Sequence, residues 1–219
     1  MANASITSKL IIPAVPALPL GPVNYNREYQ DELNRVLRLY FQQLGGAFQA
    51  YLNEGGGRFG SLPCGSYFSN QTVTLSSNVV TTLTLNNTDA NATIDTALSS
   101  GNIQVTYPGI YNYQFSAQFE NADSQAHDIE LWAQVDGADV YESATQLTIP
   151  SRHGSNNGAS VAAWNFFLVA QANSTFSIVV AANHPDISVA ALPASSSPYV
   201  RPSIPSLIST VTFVSRLPT

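Results

Sequence analysis

The side chains that could act as bases or nucleophiles are few in this sequence. Its imidazoles are those of His127, His153 and His184, and its single thiol is that of Cys64. A hydrolytic site needs a nucleophile, a base and an orienting group, but the sequence contains no HExxH or GxSxG motif that would supply them. We therefore predict no catalytic residue. The histidines are expected to make surface hydrogen bonds, and Cys64 to be a small buried thiol.

Three carboxylates could instead hold a cation. Asp136, Asp139 and Glu142 surround a predicted hairpin turn at Asp136-Gly137. Carboxylate oxygens are common calcium ligands. Two carboxylate groups facing each other can also serve as the catalytic pair of a glycosidase. We interpret these three as solvated turn residues and expect no metal ion and no cofactor. The stretch "GGGRFG" matches the GxGxxG pattern, but it follows a predicted helix rather than a strand, so no nucleotide site is expected there.

Charge is scarce in the chain and unevenly distributed. Only 10% of the 219 residues are charged, against about 25% in an average soluble domain. Residues 69–219 hold three Lys or Arg and ten Asp or Glu, a balance that repels phosphate, so we expect no nucleic-acid partner. There is no apolar run of the roughly 18 residues that a transmembrane helix needs, so we expect no membrane insertion. The low charge indicates either a surface hidden in an assembly or a polar, uncharged exterior.

Residues 1–25 are predicted to form an extended arm. Pro13, Pro16 and Pro19 recur at every third position, which prevents the helix of a signal peptide and favours extended backbone. Such a segment becomes ordered only against a partner, so we predict a docking arm. Its apolar anchors are Leu10, Ile11, Ile12, Val15, Leu18 and Leu20.

Residues 26–54 are predicted to form one long α-helix, followed by a Gly-rich linker at 55–64. Apolar residues of the helix recur at alternating steps of four and three, which is the heptad pattern of a coiled coil. The heptad seam comprises Leu33, Leu37, Tyr40, Leu44 and Tyr51. Two interpretations stay open: the helix lies across its own β-domain, or it joins copies of itself in a parallel bundle. We favour the bundle.

Residues 65–219 are predicted to form a head domain made only of strands and turns. About ten short antiparallel strands in this length predict a mostly β fold, most simply a jelly-roll sandwich. The predicted strands are 65–69, 79–85, 102–107, 110–120, 127–136, 138–149, 159–170, 174–183, 186–192 and 205–217.

The strand within "PGIYNYQFSAQFE", residues 108–120, raises the question of where its second face points. Aromatic residues occupy alternate positions and predict a core face. The other face carries Asn112, Gln114, Ser116 and Gln118, none of them charged. That face either belongs to a subunit contact, where amides pair without the desolvation cost of a charge, or points outward. We favour the contact.

Two strands, 161–170 and 176–182, are apolar on both faces. In a two-sheet sandwich one face meets the core, so the other is predicted to meet a neighbouring subunit. Trp132 fits either such an interface or a sugar-stacking platform, and we favour the interface. The predicted interface residues of the head are Trp132, Trp164, Phe166 and Phe167.

Several segments carry a resemblance to known proteins. "PGIYNYQFSAQF" resembles the Gly-x-Tyr-x-Phe strand of the tumour-necrosis-factor and complement globular-head superfamily of trimeric jelly rolls. Four longer segments together are similar to small trimeric virion structural proteins of short-tailed phages of marine bacteria. They are "NREYQDELNRVLRLYFQQL", "DIELWAQVDGADVYESAT", "VAAWNFFLVAQANSTFSIVVAA" and "RPSIPSLISTVTFV".

The resemblance implies a homotrimeric, non-enzymatic component of a virion surface. Its arm would dock on another virion protein, which could be a capsid, portal, adaptor or tail protein. A head decoration or short fibre is the favoured role. The alternative is a tail fibre or adhesin head that binds a host-surface receptor or glycan. A free-standing lectin or cytokine-like module is a rival class, and a hydrolase is a more distant one.

Overall fold

The computed structural model describes residues 27–52, 62–89 and 93–217. Within the helix it describes the side chains of residues 28, 30, 31 and 33–46. The chain divides into two compact units, Met1–Leu62 and Pro63–Thr219, and the division falls within the predicted linker. The predicted docking arm and its apolar anchors lie outside the described residues, and so does the side chain of Tyr51.

The first unit contains the helix α1, Arg27–Leu52, which confirms the one long helix expected from the sequence. Glu28 lies in its first turn, where a negative charge stabilises the positive end of the helix dipole. Among the described residues, no helix combines the length and the apolar character needed to span a membrane.

The second unit consists of short and long strands joined by turns. In the described residues the strands are β1 Cys64–Ser69, β2 Val73–Thr74, β3 Thr81–Leu83, β4 Asn87–Thr88, β5 Thr96–Ser99, β6 Asn102–Val105, β7 Gly109–Asn121, β8 His127–Val135, β9 Ala138–Asp139, β10 Thr145–Ile149, β11 Gly158–Ala170, β12 Thr175–Ala182, β13 Ile187–Val189 and β14 Leu207–Ser215. The predicted strands correspond to β1, β3, β6, β7, β8, β11, β12, β13 and β14, and one of them spans both β9 and β10. The prediction missed β2, β4 and β5, and it merged β9 with β10.

The strands form two antiparallel sheets. Sheet A has the order β2-β13-β7-β14-β1-β4, and β11 pairs with β7 on that strand's other side. Sheet B has the order β10-β8-β12-β6-β5, with β3 on β12 and β9 on β8. The predicted fold class is confirmed: the chain is mostly β, with two antiparallel sheets in a sandwich consistent with a jelly roll, and one helix.

The core lies between the two sheets and depends on the alternation seen in β7. Residues Tyr111, Tyr113, Phe115, Ala117 and Phe119 are all buried, because every second side chain of a strand points to the same face. The ring of Phe176 in β12 contacts two of them across the sandwich, with centroids 5.8 Å from Tyr111 and 5.6 Å from Tyr113. Such tilted aromatic pairs stabilise a core beyond the area they bury.

The hairpin between β8 and β9 has the turn chemistry predicted for it. Asp136 and Gly137 have φ angles of 53° and 78°, and Val135 pairs with Ala138 across them. Two positive φ values in a two-residue loop are the signature of a type I′ turn, for which Asp-Gly is favourable.

Candidate functional site

The outward surface of sheet A is almost free of charge. Residues directly opposite each other in antiparallel strands share a face, so the register places Asn112 beside Phe167 and Thr212. We call the following set the uncharged face: Cys64, Ser66 and Phe68 of β1; Ile110, Asn112, Gln114, Ser116, Gln118 and Glu120 of β7; Val161, Ala163, Asn165, Phe167 and Val169 of β11; Ile208, Thr210, Thr212 and Val214 of β14. Among these residues only Glu120 is charged, and its carboxylate accepts a hydrogen bond from the Asn157 amide at 3.0 Å.

Large apolar side chains stand exposed on this face. Phe167 is 66% exposed, Val169 59% and Val161 53%. Ile208 and Val214 on β14 are also exposed. The solvated face of an antiparallel sheet is normally polar, and apolar side chains that cluster on one surface mark interaction sites. The uncharged face therefore has the composition of a surface that a partner covers.

Strand β11 is also an edge strand. All thirteen of its residues, Gly158–Ala170, pair with β7, and the described residues provide no strand on its other side. A long edge strand presents unpaired N–H and C=O groups, and natural proteins protect such edges with charges, prolines or a covering segment. β11 contains no charged residue and no proline, so its own sequence provides neither of the first two protections.

One polar atom on the uncharged face lacks a hydrogen-bond partner. The Oδ1 atom of Asn112 is buried and accepts no hydrogen bond from any described residue. Leaving a buried acceptor unpaired costs on the order of 1–3 kcal/mol. The chain itself covers this atom, so the cost belongs to the single chain.

The four aromatic residues predicted for the head interface lie on two different sheets. Trp164, Phe166 and Phe167 belong to β11 in sheet A, whereas Trp132 belongs to β8 in sheet B. Trp164 and Phe166 are on the core side of β11 and stack on Phe115, with centroid distances of 6.1 and 6.3 Å. Trp164 is nonetheless 37% exposed, because it lies at the open edge of the sandwich. Only Phe167 stands on the uncharged face.

Trp132 is held against its own sheet. It pairs with Val179 of β12, a residue that is buried although it lies on the outward side of sheet B. The Trp132 indole N–H donates to the Asp139 carboxylate at 2.6 Å, and the Gln134 amide donates to the same oxygen at 2.8 Å. The indole is thus fixed within the chain and half-buried, and its assignment to an interface or a sugar platform stays a prediction.

The turn carboxylates are exposed, as expected, but two of them are bound to other groups. Asp136 accepts hydrogen bonds from the Thr175 N–H and the Ser174 hydroxyl, both at 2.7 Å. These bonds, first that from Thr175, hold the pKa of Asp136 below its usual value. The bonds from Gln134 and Trp132 likewise lower the pKa of Asp139. The Asp136 carboxylate therefore stabilises a turn, and the Asp139 carboxylate holds the Trp132 indole in place.

The predicted heptad seam of the helix is apolar and accessible. Leu33, Tyr40 and Leu44 are 38%, 59% and 37% exposed, and Leu37 is half-buried. The described residues therefore leave this stripe available for contact, as a helix that joins copies of itself requires. The bundle itself stays a prediction.

An open groove of about 810 Å³ adjoins the uncharged face. Its apolar lining includes Phe68, Leu192, Ile204 and Ile208, and Asp89 supplies a carboxylate. The loop at 191–205 forms one wall. It is closed by the backbone bridges Leu192–Ile204 and Ser195–Arg201. Grooves with apolar walls and a few polar groups suit a ligand or a peptide.

The groups considered for chemistry lie in three places. Cys64 is half-buried on the uncharged face, not fully buried as predicted. His153 lies in the exposed loop before β11. His127 and His184, predicted as separate surface groups, stack on each other with ring centroids 3.9 Å apart and planes within 2° of parallel. Asp123 joins them: its Oδ2 lies 2.8 Å from His127 Nε2, and this bond lowers the pKa of Asp123.

The grouping of Asp123, His127 and His184 could not be predicted from the sequence. Asp123 and His127 are four residues apart across a predicted turn, and that spacing is the one local signal available. His184 arrives through the pairing of β12 with β8, in which Ala182 lies opposite Ile129.

In comparisons with known proteins, the chain shows similarity in its structure rather than in its sequence. No protein-family model matches the chain, and no curated protein matches it significantly. Similar solved structures include the Eiger TNF of S. frugiperda, with 11% identity over 72% of this chain and 96% of that chain and a TM-score of 0.48. They also include the globular domain of zebrafish complement 1qA, with 15% identity over 72% of this chain and 100% of that chain and a TM-score of 0.40. Both TM-scores are below 0.5, so neither likeness supports a statement about assembly or partners.

Proposed function

We propose that this chain is a non-catalytic structural component of a phage virion, a homotrimeric surface appendage docked by its N-terminal arm. The observation that carries the self-association is the uncharged face together with the open edge of β11. A head decoration or short fibre is the favoured role.

Self-association accounts for two features of the sandwich at once. A second copy would bury the exposed apolar residues of the uncharged face, of which Phe167 is the most exposed, and each such side chain contributes about 1.5–3 kcal/mol when fully buried. It would cover the edge of β11 without requiring any charge to be desolvated. The heptad seam supports self-association of the helix in a stalk, and the three-fold count follows from the resemblance to trimeric families.

The virion role is supported by the sequence resemblance alone. The four segments similar to virion proteins of short-tailed phages include α1 and strands β8, β11, β12 and β14. The apolar, proline-spaced arm at 1–25 is the segment expected to dock on a capsid, portal, adaptor or tail protein, because it has no other evident use.

A tail fibre or adhesin head is the second candidate role. The observations in its favour are the groove beside the loop at 191–205 and the residues Tyr199 and Val200 of the same loop, which are 65% and 86% exposed. Apolar grooves and exposed aromatic rings are both common in glycan and peptide recognition.

Three measurements on particles test the proposal. Labelling the protein on intact particles should place it on the shell, and purified trimer should fail to block adsorption to host cells. Deletion of residues 2–22 should leave a folded trimer that no longer joins particles, because the docking segment is gone. Tail localisation with competitive blocking would favour the adhesin role, and normal incorporation of the truncated chain would contradict docking by the arm.

A further inference from the structure

Asp123, His127 and His184 place three metal-ligating side chains within reach of one ion. One ligand atom from each lies within 4.8 Å of the others. Asp186 adds a second carboxylate and a fourth side chain, with Oδ2 3.6 Å from His184 Nδ1. We propose that this cluster, the loop-end cluster, binds one first-row divalent cation such as Zn²⁺.

The loops that carry these side chains are fixed to each other. The Ala122 N–H donates to the Asp186 carbonyl at 3.0 Å, and the Asn183 N–H donates to the Asp128 carbonyl at 3.1 Å. The Asp128 N–H in turn donates to the Asn183 side-chain oxygen at 3.2 Å. The turn between β7 and β8 and the turn between β12 and β13 therefore form one backbone frame, as a preformed ligand site requires.

The position of Asp123 within this frame is also specified. Its N–H donates to the Asn121 side-chain oxygen at 2.9 Å, and its carbonyl accepts from the Arg152 N–H at 2.8 Å. Asn121 is itself buried, and its amide donates to the carbonyls of Gln125 and Pro150. These hydrogen bonds fix the backbone of Asp123 and so orient its carboxylate. Contacts of this kind, one step removed from the metal, commonly orient metal ligands.

The donor set selects the class of cation. Two imidazole nitrogens and one or two carboxylate oxygens suit zinc and its neighbours in the first transition row, whereas Ca²⁺ and Mg²⁺ prefer oxygen ligands throughout. The side chains of His127 and Asp123 are 14% and 28% exposed, and that of His184 is 34% exposed. The cluster is sheltered and still open to an ion from solvent.

Small ring movements bring the ligand atoms into coordination geometry. Four ligands at about 2.1 Å in a tetrahedron lie roughly 3.4 Å apart. The 2.8 Å separation of Asp123 and His127 must therefore open slightly, and the wider separations, none above 4.8 Å, must close. The parallel rings must tilt so that both lone pairs point to one ion, and the second side-chain torsion of histidine is broad enough to allow it.

An ion at this place would join the two sheets. Asp123 follows β7 of sheet A, His127 begins β8 of sheet B, and His184 lies between β12 of sheet B and β13 of sheet A. Because the ion binds the folded chain only, it would raise the thermal midpoint of unfolding.

The test uses the full chain without a histidine tag and adds ZnCl₂ after dialysis against EDTA. We expect one Zn²⁺ per chain by titration calorimetry, a higher unfolding midpoint, and no competition from Ca²⁺ or Mg²⁺ in large excess. His184→Asn and Asp123→Asn should each weaken binding at least about 10-fold. His153→Asn, which changes the one histidine outside the cluster, should bind like the wild type.

Histidine NMR of the unaltered protein gives an answer that does not depend on a variant folding. The chain has three histidines, and Zn²⁺ should shift the imidazole signals of two and leave that of His153 in place. The proposal is overturned if no signal shifts, if the His153 signal shifts alone, or if His184→Asn binds Zn²⁺ as tightly as the wild type. Binding below one ion per chain with a rise in particle mass would indicate bridging between molecules and would also overturn it.

Discussion

At the scale of single residues, the Asp136 carboxylate shows how a turn that looks solvated can carry stability. It accepts bonds from Thr175 N–H and Ser174 Oγ, which tie the β8–β9 turn to the start of β12. Its pKa is lowered in the folded chain, against about 3.9 when unfolded. The charged form is therefore favoured by folding, and its contribution is present above about pH 4 and is lost as the pH falls through the folded-state pKa.

We predict that Asp136→Asn lowers the free energy of unfolding by about 1 kcal/mol at pH 7, a value reduced for the exposure of the group. Asn keeps one acceptor oxygen for the Thr175 N–H and tolerates the positive φ. Its NH2 group replaces the oxygen that accepts from the Ser174 hydroxyl, so the charge and one accepted hydrogen bond are removed. Urea unfolding at fixed protein concentration should show the difference from wild type shrinking as the pH falls below about 4. An undiminished difference at acid pH would show that the charge is not responsible.

The pKa of Tyr113 is shifted in the opposite direction from that of Asp136, because burial raises it to about 12. Its hydroxyl lies 3.4 Å from the Ser209 hydroxyl inside the core. The unfolded chain begins to lose this proton near pH 10, so the tyrosine's contribution is complete below that pH and is lost as the pH rises through 12.

We predict that Tyr113→Phe costs about 1 kcal/mol or less at pH 8 and becomes stabilising relative to wild type as the pH rises above about 10. The comparison with wild type cancels the titration of the other tyrosines. Urea midpoints at several pH values between these limits measure it. A constant difference between the two proteins would contradict a buried, neutral phenol.

At the scale of elements, strand β11 determines the surface on which this account depends. Phe167 points outward from β11 and is 66% exposed. A charge at this position should therefore leave the core of a single chain intact. The same charge would have to be desolvated in a covered interface.

We predict that Phe167→Glu weakens self-association at least about 10-fold, equivalent to 1.4 kcal/mol or more, while the far-ultraviolet circular dichroism stays that of a β protein. Tyr141→Glu is the matched control, since Tyr141 is 88% exposed in the loop between β9 and β10. Sedimentation velocity over a dilution series compares the two. Equal association by both variants would remove β11 from the interface.

The helix offers an independent test of the heptad seam. We predict that Tyr40→Glu, on the seam and 59% exposed, weakens self-association, because a charge enters a packed coiled-coil position. Gln42→Glu adds the same charge two residues away, on the opposite side of the helix, and should associate normally. If Tyr40→Glu also associates normally in the same dilution series, the helix is not part of the contact.

The elements differ in how well the sequence predicts them. β7 and α1 were predictable because their apolar residues follow periods of two and of four-and-three over many residues. β2 and β4 contain two residues each, too few to show a period, and they form only where other strands offer an edge. The position of β11 at the edge of sheet A depends on long-range pairing with β7, which no local pattern records.

The candidate sites also differ in whether a local sequence pattern or long-range strand pairing creates them. The uncharged face was predictable from β7, since Asn112, Gln114, Ser116 and Gln118 alternate with core residues. The loop-end cluster was not, because His184 meets His127 only through the register of β12 with β8. Trp132 and the aromatic residues of β11 were predicted as one interface, and they lie on different sheets, since sheet membership is set by chain connections that residue type does not reveal.

At the scale of the whole molecule, the low charge is consistent with our proposal that self-association covers part of the surface. With 10% charged residues, an exposed edge strand and an accessible seam, a single copy would present an aggregation-prone surface. A closed symmetric assembly buries such surfaces without leaving an open end. Self-association is therefore the central claim, and the virion role depends on it.

The mass of the full chain in solution tests this claim most directly. Light scattering coupled to size-exclusion chromatography should give about 70 kDa, three times the 23.4 kDa of one chain, and the value should hold on dilution because three copies close the assembly. Phe167→Glu should shift the same profile toward the single chain. A wild-type particle of 23.4 kDa at every concentration would contradict the account.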